Sequence, residues 1–295
     1  LRGETILKFS FKSFADGSFD YDKKTETHIG LYLREEKADI SGGKIKVSDI
    51  DVLKNYPDID TVTVSGLNQE TFEYFILNYG KQLKAIRFFK NKQIEDLSLL
   101  GTLPQLEYLY FFANQKVTQL WDMSNNTSLT GVCIEDFSKL KSIVGIETAP
   151  NLKYFTIGNA IWDTAEIESF MPLANTKIEY LSFTGKKITD NDFSFLSDML
   201  QLKEFDFSLH FLTTEQVAWI VANFPHLKGF ALKAKHDCEL FKSNEDLIKV
   251  PATIIVGKIK PSLKIEGNEE RIKNYELKFE ALVEKYKGKK YCEIF

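Results

Sequence analysis

The chain has 295 residues, of which 43% are hydrophobic and 27% charged, and a formal net charge of −4. That is too apolar for disorder, and the mixed charge supplies no basic stripe for nucleic acid. No run of about 18 apolar residues occurs, so no membrane span is coded.

Residues 1–58 are expected to form an N-terminal cap. Leu7, Phe9 and Phe11 alternate before Asp16-Gly17, and Phe19 and Tyr21 alternate after it, the pattern of a β-hairpin. His28–Leu33 has the spacing of a strand that begins a stack, and a short helix is predicted over Val47–Asn55, ending before Pro57.

From Ile59 the unit apolar-x-x-apolar-x-apolar recurs. Its first anchors are Ile59, Leu83, Leu106, Leu129, Leu152, Ile178, Leu202 and Leu227, at steps of 24, 23, 23, 23, 26, 24 and 25 residues. A fixed period in this range predicts a solenoid, here over residues 59–257. The +3 and +5 residues of each unit share a face, because strand side chains alternate. These pairs run from Val62/Val64 through Phe205/Phe207 to Phe230/Leu232, and all are apolar. Pro251, Ile254 and Val256 are expected to make one last, degenerate rung.

Between strands, the 23-residue repeats leave room only for turns or 3₁₀ pieces. Longer repeats are expected to carry helices. Phe72, Phe75, Ile76 and Tyr79 form one helical stripe, and Val217, Ile220, Val221 and Phe224 another. Thr213 and Gln216 have capping-box spacing ahead of the second. Thr189 and Asp192 give a weaker version ahead of Phe193 and Leu196. Residues 258–295 are read as a C-terminal cap. Ile272, Tyr275, Phe279, Leu282, Val283 and Tyr286 stripe a helix over 269–287, expected to cover the last rung, with a homodimer through that helix as the alternative. The tail at 287–295 is expected to be mobile.

The anchors resemble the leucine-rich-repeat family, L-x-x-L-x-L-x-x-N. Residues 83–128 look most like its bacterial internalin subclass, since Asn91 and Asn114 keep the terminal asparagine. Elsewhere that position is Phe137, Ala160, Lys186 and His210, so most of the asparagine ladder is missing. The resemblance implies an α/β solenoid with a curved parallel sheet on the concave face, helices and short turns on the convex face, and a binding role. It carries no catalytic residues.

The +2, +4 and +6 residues should line the concave face. Strand stacking places Phe89 beside Phe112 and Arg87 beside Tyr110. With Tyr108, Tyr154 and Tyr180 they make an aromatic patch of the residue types enriched at interface hot spots. Glu204 and Asp206 form an acidic step that suits a basic partner, a solvated face being the plainer reading. Cys133 has no histidine placed beside it by the repeat register, which makes it an inert thiol. His236-Asp237-Cys238 lacks a second paired metal ligand, and neither a phosphate-binding glycine loop nor a G-x-S-x-G elbow occurs. No cofactor and no enzymatic activity are therefore expected.

A protein partner gripped by the concave face is the leading expectation. The alternatives are a structural scaffold assembled through the C-terminal helix, and the targeting part of a larger enzyme or effector. Cys133, Cys238 and Cys292 are odd in number and far apart, which favours a reducing, cytoplasmic compartment. A secreted or surface location is the alternative, with Asn125-Asn126-Thr127-Ser128 then offering glycosylation sequons.

Overall fold

The computed structural model describes residues 30–33, 45–160, 164–241, 249–257 and 262–295. The expected hairpin before residue 22 lies outside them, as does His28. The principal element is an eight-stranded sheet. Its strands are β1 (Gly30–Leu33), β2 (Thr61–Val64), β3 (Ala85–Phe89), β4 (Tyr108–Asn114), β5 (Gly131–Phe137), β6 (Tyr154–Gly158), β8 (Tyr180–Thr184) and β10 (Glu204–Phe207). All neighbours are parallel, and each repeat from Ile59 to Leu202 contributes one strand. Two-residue strands β7 (Glu166–Ile167) and β9 (Lys187–Ile188) pair with each other behind it.

One hydrophobic core runs the length of the stack. Every anchor from Ile59 to Leu202 is buried, with the paired +3 and +5 side chains from Val62/Val64 to Phe205/Phe207. Phenylalanine often stands where the family uses leucine, and the extra volume is taken up by ring packing. Phe88 stacks on Phe111 at 4.7 Å between centroids, and Phe170 meets Phe183 edge-on at 5.1 Å. The strands of three successive repeats end alike. Lys90, Ala113 and Asp136, at steps of 23, are all left-handed with φ of 57–61°, which turns the chain out of the sheet. Asn91 and Asn114 follow the first two and are buried. Asn114 Nδ2 donates to the carbonyls of Asn91 and Ile94, tying each turn to the one before.

The backs of the repeats divide less simply than their lengths predict. The entry segment is helix α1 (Val47–Ile50) continued by a 3₁₀ turn over Asp51–Asn55, as the sequence anticipates. Helices α2 (Gln69–Tyr79) and α3 (Thr214–Asn223) also form as expected, and α3 carries the reciprocal Thr213/Gln216 box. Among the described residues, the repeats opening at Leu152 and Ile178 carry no α-helix. They use β7 and β9 with 3₁₀ turns at Met171–Leu173 and Ser194–Asp198. In the Ile178 repeat, Asp190 Oδ1 accepts from Asp192 N and Asp192 Oδ1 accepts from Ser194 N, so side-chain turns lead directly into the 3₁₀ segment.

Two expectations fail at the C-terminal end. Leu227 opens no regular rung. Lys228 bridges Glu204, and Phe205 N–H bonds the Lys228 carbonyl, so the register is one residue short of the anchor spacing. A one-residue slip exchanges the faces of a strand. Ala231 is therefore buried, while Phe230 is 58% exposed. Pro251 and Ile254 belong to no parallel rung either. Strand β12 (Lys249–Ile255) pairs antiparallel with β11 (Lys235–Phe241) and β13 (Ser262–Lys264) in a separate sheet.

Helix α4 (Glu269–Tyr286) packs on α3, with Ile272, Phe279 and Tyr286 buried. The stripe is thus used within the chain. The tail is docked rather than loose. Tyr291 is buried, its hydroxyl accepts from Gln216 Nε2 at 2.8 Å and donates to the Asn191 carbonyl at 2.8 Å, and Trp219 Nε1 donates to the Lys289 carbonyl.

Candidate ligand-binding face

Because core and concave residues alternate along each strand, the sheet lays its outward side chains in rows. The central row is Thr63, Arg87, Tyr110, Cys133, Thr156, Ser182 and Asp206, each residue opposite the next in register. The row beside it on the N-terminal side of the strands is Ala85, Tyr108, Gly131, Tyr154, Tyr180 and Glu204.

The sheet brings the expected aromatic pairs together. Phe89 stacks on Phe112 at 5.1 Å and 17°. The Arg87 guanidinium carbon lies 4.7 Å from the centre of the Tyr110 ring. Tyr110 reaches diagonally to the next strand and donates its hydroxyl to Glu135 Oε2 at 2.9 Å. Ala85, Tyr110 and Cys133 form a second apolar cluster, with Tyr108, Phe112 and Tyr154 packed against it.

The expected patch is only partly open here, since Phe89, Tyr108 and Phe112 are half-buried while the central row is buried. Arg87 is 8% exposed, Tyr110 5% and Cys133 1%. Burial drives the Tyr110 hydroxyl far above its ordinary range, and the Glu135 carboxylate pushes the same way. Burial likewise raises the Glu135 carboxyl, with Asp136 adding to it and the Tyr110 hydrogen bond and Arg87 opposing. The Cys133 thiol is raised well above normal, again chiefly by burial. A thiol kept protonated is a poor nucleophile, which agrees with an inert Cys133.

From β6 onward the central row is less deeply buried. Tyr154, Thr156, Tyr180, Thr184 and Asp206 are half-buried, and Glu204 is exposed. Asp206 is held on both sides. Its Oδ1 accepts from Phe230 N–H at 3.0 Å, and its Oδ2 lies 3.4 Å from the Tyr180 hydroxyl. Phe230 stacks on His236 at 4.0 Å between ring centres and 19°. Sequence reasoning missed Phe230, because its spacing from Leu227 matches a core position. The signal was present in its neighbours. A Cβ at Gly229 would come within 2.1 Å of the Phe205 carbonyl oxygen, so the small Gly229 and Ala231 are the inward pair.

Acidic residues on the edge of the sheet are paired across rungs. Lys84 meets Glu107, and Lys153 and Lys203 both meet Glu179. Among the described residues no group of three or more His, Cys, Asp or Glu is placed to hold a metal ion. Among them, too, no helix is long and apolar enough to cross a membrane.

No family model matches the chain, and neither does any curated protein. Among solved structures it is similar to an internalin, InlF, of Listeria monocytogenes, with a TM-score of 0.50 and 21% identity. The match covers 68% of this chain and 59% of that one, so this chain spans less than two thirds of the internalin's length. At that identity the likeness concerns the fold. Together with one parallel strand per repeat, it makes this a leucine-rich-repeat solenoid with partly internalin-like repeats.

Proposed function

We propose that this leucine-rich-repeat solenoid is a non-enzymatic protein-binding module and that its ligand lies along the open half of the concave sheet. The carrying observation is the row of half-buried aromatic side chains, Tyr154 and Tyr180, that passes into Glu204, with Asp206 in the adjoining row and the exposed ring of Phe230 beyond it. These residues are fixed to a rigid parallel ladder, so little ordering entropy opposes binding. Tyrosine rings add contact area with few rotors to freeze. Arg87 and Tyr110 act in this reading as buried support, with the half-buried Phe89, Tyr108 and Phe112 continuing the face toward β3. Tyr110 and Arg87 are too deeply buried to meet a ligand without rearrangement.

The test is affinity capture from the source organism or its host, comparing the native chain with Tyr154→Ala/Tyr180→Ala. The double variant should lose a specifically captured protein while keeping its far-UV circular dichroism. Equal capture by both would overturn the concave-face reading. Tyr110→Ala is a poor probe of binding. It empties a buried site and removes a hydrogen bond from Glu135, so it reports stability instead. Assembly through α4 is not favoured by any observation, since its apolar stripe is occupied by α3 and the docked tail.

A further inference from the structure

We propose that the open end of the concave sheet takes an arginine side chain from an extended segment of the partner protein, its guanidinium lying against Phe230 and the carboxylates of Glu204 and Asp206. This rests on the concave-face reading and adds the chemistry of what is bound.

The argument starts from the register slip. By turning Phe230 outward, it puts a large ring on a sheet face that would otherwise carry only polar groups at that end. Phe230 is 58% exposed with His236 stacked on it, so its ring is accessible next to the carboxylates. The backbone of Phe230 is fixed by its N–H bond to Asp206 Oδ1, so ring and carboxylate keep one spacing. Glu204 lies two residues before Asp206 on the same face of β10.

The two carboxylates differ from the acids that immediately precede β4 and β8. Glu107 and Glu179 meet lysines of neighbouring rungs, whereas among the described residues neither Glu204 nor Asp206 has an ion pair. Burial holds His236 below its usual range, with Lys233 acting in the same direction, so the imidazole is neutral near pH 7 and does not repel a cation. The face therefore offers negative charge and an aromatic surface together. A guanidinium answers both, because its plane can lie on a ring while its edge forks onto a carboxylate. An ammonium would meet the charge without the fork. An extended segment is long enough to place alternate side chains toward Tyr180 and Phe230.

The test uses the full chain, labelled with ¹⁵N, and two small probes, acetyl-arginine methylamide and its neutral isostere acetyl-citrulline methylamide. The arginine probe should produce saturable shifts of the amides over 204–208 and 229–236, and the citrulline probe should not. Phe230→Ala should weaken the arginine probe about two- to fivefold, the size of an exposed cation–π contact. Glu204→Gln/Asp206→Asn should abolish saturation. The amide at 206 can still accept from Phe230 N–H, so the fold is kept. Equal response to both probes, or binding untouched by these variants, overturns the proposal. If the arginine probe fails while Tyr154→Ala/Tyr180→Ala still destroys partner capture, the arginine site falls and the concave-face reading stands. If that capture is also unaffected, both fall.

Discussion

Asn126 illustrates how one residue can be read two ways from sequence and one way from structure. It opens a sequon, Asn126-Thr127-Ser128, yet it is 0% exposed and every polar atom of its side chain is used. Nδ2 donates to the Leu100 and Leu103 carbonyls at 2.8 and 2.9 Å, and Oδ1 accepts from Trp121 Nε1 at 2.9 Å. This repeats what Asn114 does at the end of its strand, moved to the convex corner of the next turn. The asparagine ladder is thus continued by a residue outside the motif. Alanine at 126 would orphan the Trp121 indole N–H and take one of two donors from each carbonyl, which keep Leu103 N–H and Leu106 N–H, and each lost buried bond costs roughly 1 kcal/mol. Asn126→Ala should therefore lower the unfolding free energy by about 3 kcal/mol in urea titrations, while Asn125→Ala, at an exposed position, should change it by less than about 0.5 kcal/mol. Equal effects of the two substitutions would remove Asn126 from the framework.

At the scale of elements, α2 is hooked to the entry segment by Asp51. Its Oδ1 accepts the hydroxyls of Tyr74 and Tyr79, both at 2.6 Å, and its Oδ2 takes Lys54 Nζ at 2.8 Å. The Lys54 bond is the largest cause, and the two tyrosines follow, in holding the Asp51 carboxyl at about 2, below its ordinary 3.8. A carboxylate whose pKa is depressed on folding contributes stability above its unfolded value and loses it as pH falls through the folded one. The window here runs from about pH 4 down to about pH 2. Thermal midpoints recorded at pH 5, 4, 3 and 2 should fall more steeply for the native chain than for Asp51→Asn, which keeps an acceptor but no titrating group. Parallel curves would show that Asp51 does not couple to folding. The sequence marks both elements of this contact, since the α2 stripe and the Val47–Asn55 segment are legible from periodicity. It does not mark the contact itself, because a surface aspartate 23 and 28 residues from two tyrosines has no local signature. The rung after Leu202 departs from the spacing for a related reason. Spacing finds apolar residues, and both Phe230 and Leu232 are apolar, but which face they take is decided by the ladder at Lys228. Likewise, neighbours in the sheet such as Arg87 and Tyr110 follow from the repeat alone, whereas their burial depends on packing that the repeat does not encode.

The whole molecule is a stack in which each rung is held mainly by its two neighbours, so its cooperativity depends on every interface being sound. The interface between β6 and β8 is the place to test this. Gly158 ends β6 with φ of +143°, and a Cβ there would lie 2.1 Å from the Thr184 backbone oxygen. That oxygen accepts from Asn159 N–H at 2.7 Å, so it has no freedom to retreat. Backbone would have to move against backbone, and together with the strained φ this should cost about 3 kcal/mol. Such a loss, confined to one seam, has a consequence that an ordinary core cavity lacks. The rungs from β2 to β6 and those from β8 onward, with α3, α4 and the docked tail, should begin to unfold separately. Gly158→Ala is expected to turn one denaturant transition into two, and to lower amide-exchange protection in β8 and β10 before it falls in β3 and β4. Gly267→Ala supplies the control. Its φ is +76° but no atom lies within 4 Å of its Cβ position, so it should cost roughly 1 kcal/mol of strain without splitting the transition. A single cooperative transition in Gly158→Ala, with protection lost evenly along the stack, would mean that the rungs are coupled over longer range than nearest neighbours.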